Sequence, residues 1–312
     1  MINFVQKRRL YFIIAGILIL LSVGALVAST VIFGSPLRVG IDFTGGSRFV
    51  LRFEEDVTEM EIREIFVEQG YAGAIVQRLG ARDEQLWQVR APGFATADEV
   101  QALLNAIDAQ VGSLNRALSN VNTVEPAVGT EVARNAGLAV GVAAVAVLLF
   151  IWFSFRGVPH PFRYGVASIV AMTVNVIVAL GFFALMGILQ GWEADALFLT
   201  ALLTVIGFSV QDIIVVFDRI RENIPRYRAE PFEMVVNRSV METLHRSLAT
   251  QLNAMFVMIA ILLFGGATIK PFIAVMLVGM VSETFTSLFV AVPIIVVWEE
   301  RSLGELTAGA MS

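Results

Sequence analysis

Six long apolar runs constrain this 312-residue chain more than any other feature. They lie at about residues 10–33, 133–153, 164–189, 196–217, 243–264 and 271–298. Each is close to or above the about 20 residues that a helix needs to cross the hydrocarbon of a bilayer. Within lipid, every backbone N–H and C=O must find its partner inside the spanning element. Runs of this length therefore fold as helices. Composition agrees: 57% of residues are hydrophobic and the mean hydropathy is +0.76. Soluble domains are only about half apolar.

Several function classes fall away. There is no cysteine, so no disulfide and no thiolate metal site. Two histidines, His160 and His245, are too few for a His-based metal cluster. A net charge of −5 argues against a basic nucleic-acid binder. No phosphate loop, Ser-His-Asp order or His-Glu-x-x-His motif is present, so the expectation is a non-enzyme without cofactor or metal. The first run follows Lys7, Arg8 and Arg9 and exceeds the about 7–15 apolar residues of a signal peptide. It reads as an uncleaved signal-anchor, with cleavage near Ala28 and Ser29 as the alternative.

Orientation follows from positive charge in short loops. With the N-terminus inside, the cytoplasmic side receives Lys7, Arg8, Arg9, Arg156, Arg163, Arg301 and the arginines between 219 and 238. The short outer loops then hold only Lys270. The expected organisation is a first membrane helix in residues 1–35, an extracytoplasmic domain over 36–130, a five-helix bundle over 131–298 and a cytoplasmic tail over 299–312.

The segment 36–130 carries its own pattern. Residues 47–53 alternate and are rich in Phe and Val, as a strand does. Thr58 with Glu61, and Thr96 ahead of residues 97–111, mark two helix starts. Residues 74–79 and 85–90 read as strands joined by Gly-Ala-Arg-Asp-Glu at 80–84, and 118–125 as a last strand. The order is strand, helix, strand, strand, helix, strand, a split βαβ or ferredoxin-like α+β arrangement. Residues 220–241 mix Arg and Glu with Phe232, Met234, Val235 and Val236, and Pro225 and Pro231 interrupt them. They read as a short amphipathic helix on the cytoplasmic face or as a solvated charged connector.

A carboxylate stands inside the fourth apolar run. Asp212 lies six residues before the charged exit that begins at Asp218. That places it about 9 Å inside the exit. A carboxylate there is costly unless paired, hydrated or protonated, and its default reading is a site on an ion or proton path. Ser209 shares its face, and Gln211 is adjacent. In the fifth run, Arg246, Thr250 and Asn253 form a polar stripe at i, i+4 and i+7. An Asp212–Arg246 pair that opens and closes would load and release protons, because the cation keeps the carboxylate ionised. The plainer reading is a static ion pair holding two helices together.

The residues Gly-Phe-Ser-Val-Gln-Asp-Ile-Ile-Val-Val-Phe-Asp-Arg-Ile-Arg-Glu-Asn at 207–223 resemble the signature of the SecD/SecF family, membrane subunits of the bacterial Sec protein-export machinery. That family is similar in build to the resistance–nodulation–division transporters. The resemblance continues in Gly-Ile-Asp-Phe-Thr-Gly-Gly at 40–46, where Asp42 reads as a cap or turn former and the glycines supply backbone freedom. It extends to Pro-Ala-Val-Gly-Thr-Glu at 126–131, Thr-Leu-His-Arg at 243–246 and Phe-Gly-Gly at 264–266. It implies proton-coupling roles for Asp212 and Arg246. It also implies a SecD partner, the SecYEG channel, an unfolded preprotein substrate, YajC as a further partner, and use of the proton-motive force in late-stage export across the cytoplasmic membrane. Two other classes remain open here: a proton-coupled exporter of small molecules or lipids, and a non-transporting assembly subunit.

Three positions depart from the family pattern. Val174 and Asn175 stand where the third span often carries His-Asp, and Asn175 cannot titrate. His245 adjoins Arg246 and reads as a helix-end histidine at the interface, although it can titrate near neutral pH. Glu283 occupies the sixth span near mid-membrane, where a small residue is usual, with Ser287 at i+4 on its face. Glu283 is therefore a second titratable candidate, a relocated third-span carboxylate. The alternative is a protonated side chain bonded to a neighbouring carbonyl or hydroxyl.

Overall fold

The computed structural model describes residues 5–79, 84–91, 96–156, 161–266 and 268–309. In chain order the elements are α1 (Arg8–Phe33), α2 (Ile41–Thr44), β1 (Gly46–Arg52), α3 (Glu59–Glu68), β2 (Ile75–Leu79), β3 (Leu86–Ala91), α4 (Ala97–Gln110), β4 (Asn120–Val124), α5 (Pro126–Phe155), α6 (Pro161–Gln190), α7 (Ala196–Arg226), α8 (Phe232–Phe264), α9 (Lys270–Thr286) and α10 (Val292–Gly309). A π-helical turn, Ser287–Ala291, joins α9 to α10. Contacts divide the chain into two units. One comprises Met1–Leu37, Val140–Trp192 and Leu197–Ser312; the other comprises Arg38–Ala139 and Glu193–Ala196.

In the second unit the sheet has the order β2-β3-β1-β4, and every pairing is antiparallel. β1 lies between β3 and β4, with Phe49 opposite both Val89 and Val121. That is the split βαβ order expected from the sequence. Both helices begin at complete capping boxes, Thr58 with Glu61 and Thr96 with Glu99. The core joins Phe49 and Leu51 of β1, Trp87 and Val89 of β3, Ile62 and Phe66 of α3, and Leu103 and Ile107 of α4. The expected turn at 80–84 falls mostly outside the described residues, as do His160 and residues 310–312 of the expected tail.

Among the described residues, six helices are long and apolar enough to cross a membrane: Val5–Phe33, Ala127–Phe155, Pro161–Gln190, Ala196–Arg226, Phe232–Phe264 and Lys270–Glu300. The chain is a multi-pass membrane protein. Small residues set how closely the helices approach. A Cβ on Gly181 of α6 would lie 2.4 Å from Ser22 Cα of α1, and one on Gly279 of α9 would lie 2.3 Å from Val205 Cγ2 of α7. Close approach through small residues is the usual basis of helix association in lipid. The apolar centre includes Phe155, Tyr164, Ile213, Phe217 and Val292.

The separate helix expected at 220–241 is not formed. Instead α7 runs on to Arg226, α8 begins at Phe232, and only five residues connect them. Pro225 sits in the last turn of α7, and Pro231 caps α8. Cross-links fasten the two extended ends together. Asn223 Nδ2 donates to Ser239 Oγ at 3.0 Å and to Glu242 Oε2 at 2.8 Å, and Arg219 Nε reaches Glu242 at 2.6 Å. Charged residues that read as a connector are the helix ends themselves.

Candidate functional site: a buried acidic and polar cluster

Within the bundle, α6, α7, α8 and α9 enclose a group of buried polar side chains. Asn175 is its hub. Its Nδ2 donates to Ser209 Oγ at 2.8 Å, and its Oδ1 accepts from Ser282 Oγ at 2.7 Å and from Thr286 Oγ1 at 2.8 Å. Ser209 Oγ in turn donates to Val205 O at 2.9 Å, one turn back in α7. One amide thus ties α6 to α7 and α9. Helix periodicity then places both acids beside this latch. Asp212 is three residues past Ser209, and Glu283 lies between Ser282 and Thr286.

Asp212 is 8% exposed, and its Oδ2 has no hydrogen-bond partner among the described residues. Glu283 is fully buried. Gln251 Nε2 of α8 donates to Glu283 Oε2, while Oε1 has no partner. Ser247, one turn before Gln251, is also buried with an unpartnered hydroxyl. The π-helical turn begins four residues past Glu283, a local widening that recurs at functional sites.

The sequence-derived candidates separate into two sets. Ser209 joins the Asn175 latch, and Asp212 and Glu283 are both buried on the helix segments that the latch ties together. Arg246, Thr250 and Asn253 are not buried: all three are exposed, and no salt bridge joins Asp212 to Arg246 among the described residues. Gln211 is exposed too. The expected ion pair is absent for a geometric reason. The face that α8 turns to the bundle is Thr243, Ser247 and Gln251, at i, i+4 and i+8. Arg246 and Thr250 each precede a member of that stripe by one residue, so they point about 100° away. Two polar stripes share α8, and only the one without the charge faces the bundle. Gln251, Ser247, Ser282 and Thr286 were legible only as helix-spaced polar residues.

A second polar cluster lies in the other unit. Val39 and Ala194 pair as a parallel bridge, with Gly40 N donating to Ala194 O and Ala194 N to Arg38 O, both at 2.7 Å. A Cβ on Gly40 would come within 2.9 Å of Ala194 O, so this approach requires glycine. Gly45 and Gly46 have φ of 73° and 116°, the freedom expected of that motif. Asp42 does act as a cap, but for a distant segment: its Oδ2 accepts from the backbone N–H of Ala196 at 2.9 Å, the first residue of α7. Glu193 is buried between Arg90 at 3.5 Å and Arg38 at 3.6 Å. Burial pushes its carboxyl above the ordinary value, against the pull of Arg90, Arg38 and Arg48.

Comparison with known proteins places this architecture. The family model "Protein export membrane protein SecD/SecF, C-terminal" matches residues 104–301, and the "SecD/SecF GG Motif" model matches residues 30–57. A protein translocase subunit SecF of Anaerolinea thermophila is 41% identical over 302 residues, 96% of this chain and 94% of that protein. A protein translocase subunit SecF of Thermobaculum terrenum is 39% identical over 309 residues, 96% of this chain and 95% of that protein. The crystal structure of SecDF from Thermus thermophilus, described as a translocon-associated membrane protein, superposes with a TM-score of 0.80 at 30% identity. That match covers 96% of this chain and 39% of SecDF. With a family model spanning more than half of its length and relatives of about 40% identity end to end, the chain belongs to the SecD/SecF family of protein export membrane proteins.

Proposed function

We propose that the chain is the SecF-type half of a proton-driven export motor. It pairs with a SecD-type six-span partner and draws emerging preprotein outward at the SecYEG channel, with YajC as an accessory. The observation that carries this reading is Asp212, a buried carboxylate with an unpartnered oxygen in the middle of a polar cluster. Such a group in a membrane helix belongs to a proton or ion path. The driving force is adequate: each charge that crosses contributes about 2.3 kcal/mol per 100 mV of membrane potential. The chain works as a transport subunit and performs no enzyme chemistry of its own.

Relatives in which both halves are one polypeptide support the partner. SecDF of Thermus thermophilus is matched by this chain over only 36% of its length. The exposed stripe of Arg246, Thr250 and Asn253 on α8 is the face that we assign to the seam with that partner. Arg246 approaches Asp212 only when the seam rearranges, and its approach favours proton release. Both termini are cytoplasmic and residues 36–130 extracytoplasmic, by the charge rule. A small-molecule exporter is less well supported, because the relatives carry the name of protein translocase subunits.

The test is preprotein translocation into vesicles holding the chain with its partner and channel, under separately imposed proton and sodium gradients. Asp212→Asn should insert normally, abolish the gradient-dependent component and spare translocation driven by the channel's ATP motor. Full gradient-dependent export by this variant would reduce Asp212 to a structural role. Stimulation by a sodium gradient alone would replace the proton as coupling ion.

A further inference from the structure

The mechanism proposed above uses one carboxylate, yet the bundle buries two. We propose that Asp212 and Glu283 form a single proton-carrying pair that holds one proton at rest and takes up a second, with Gln251 positioning Glu283. This deepens the reading of Asp212 as the coupling residue and rests on it.

The charges around the pair motivate the idea. α6 contributes the neutral Asn175, and α8 contributes the neutral Gln251 and Ser247. The charged and titratable residues of α8 nearest in sequence, Glu242, His245 and Arg246, are exposed. α9 contributes Ser282 and Thr286 beside Glu283. No salt bridge joins a cation to either acid among the described residues. Two carboxylates taken from water without a counter-ion would suffer both desolvation and mutual repulsion. One proton between them removes the second charge.

The unused hydrogen-bonding atoms fit the same account. Asp212 Oδ2 and Glu283 Oε1 are both buried without a partner. The Asn175 latch, by contrast, uses both its donor to Ser209 and its acceptor from Ser282 and Thr286. The latch satisfies its own polar atoms, while one oxygen on each acid is left open, as is the hydroxyl of Ser247. Gln251 fixes Oε2, so Oε1 is the oxygen free to exchange a proton. Uptake then converts one carboxyl and one carboxylate into two neutral carboxyls; release reverses it. The dianion forms only when a cation arrives. Interacting acids of this kind titrate in two steps that belong to the pair.

The experiment is infrared spectroscopy of the full chain in lipid, as wild type minus the Asp212→Asn/Glu283→Gln double variant. The carbonyl band of protonated carboxylic acid, which neither Asn nor Gln reproduces, should amount to one group per chain at mildly alkaline pH. It should rise to two at acid pH. Glu283→Gln should lose that second step and, in vesicles, shift the pH profile of gradient-driven export; Asp212→Asn should abolish gradient-driven export. No such band at alkaline pH would mean that both acids are ionised, and would overturn the proposal. So would two groups at every pH, or a wild-type export profile in Glu283→Gln. Gradient-driven export that survives Asp212→Asn would instead sink the proposed function, whatever the spectra show.

Discussion

Replacing Asn175 tests whether the latch positions the acids. Asn175→Ala removes three interhelical hydrogen bonds, one to Ser209 and two from Ser282 and Thr286. Polar bonds between membrane helices average about 0.6 kcal/mol each, so the three sum to about 2 kcal/mol. The cost should not climb much further. Thr286 Oγ1 already reaches Glu283 O at 3.3 Å, and serine and threonine hydroxyls readily fall back on their own helix. Asn175→Leu keeps the branched heavy-atom shape without leaving a cavity, and so separates the cavity from the lost bonds. Reversible unfolding of the lipid-reconstituted chain should show a loss of about 2 kcal/mol for both variants, about 30-fold in the equilibrium constant. A double-mutant cycle of Asn175→Ala with Thr286→Val should give a coupling of about 0.6 kcal/mol. Export should fall more than stability does, because α9 loses its tether beside Glu283. Stability unchanged in both variants, together with zero coupling to Thr286, would refute the latch.

Gly279→Ala should destabilise the bundle by about 1–3 kcal/mol, since its Cβ would sit 2.3 Å from Val205 Cγ2; Val205→Ala in the same chain should restore most of the loss, and a neutral single variant would contradict the packing. Glu193 gives a pH prediction. Its folded carboxyl is raised, so the folded chain binds more protons than the unfolded one between the ordinary glutamate value of about 4.3 and the raised value. Stability of the Arg38–Ala139 unit should fall as pH rises through that window. Hydrogen exchange at the Gly40 and Ala194 amides, after correction for intrinsic rates, should report it, and Glu193→Gln should flatten the slope; the same slope in both proteins would exclude Glu193 as its source. Thr96→Ala removes a complete capping box and should lower the opening free energy of α4 amides by about 1 kcal/mol; protection unchanged at Val100 and beyond would show the cap to be idle.

Much of the architecture could be read from the sequence because it follows from local periodicity. Apolar runs longer than a bilayer is thick admit only helices, and all six spans lie where those runs lie. Alternation and Thr-x-x-Glu spacing placed four strands and two helices, because both signals act within a few residues. The single buried carboxylate of α7 was legible for the same reason: it stands alone in apolar surroundings. Two features were not local. The α7 and α8 ends read as a short amphipathic helix or a connector, because prolines and charges break the pattern. Only the contacts of Asn223 and Arg219 with Glu242 show why the helices continue.

Which residues meet Asp212 was decided by rotation. Sequence spacing gives the angle between residues on one helix, but not the angle that the helix presents to its neighbours. On α8 the stripes led by Arg246 and by Ser247 differ by one residue, about 100°. The charged stripe stands out in the sequence, while packing turns Ser247 and Gln251 inward and Arg246 outward. On α6, Asn175 looked like a lost titratable site; in the fold its amide supplies the donor and acceptor that bind α7 and α9. The sequence by itself determined six membrane helices, a small α+β domain and two acids buried in apolar runs. Tertiary structure alone decided that Glu283 meets Gln251 and that Arg246 points away from Asp212, because the rotation of each helix is set by side-chain packing between elements distant in the chain.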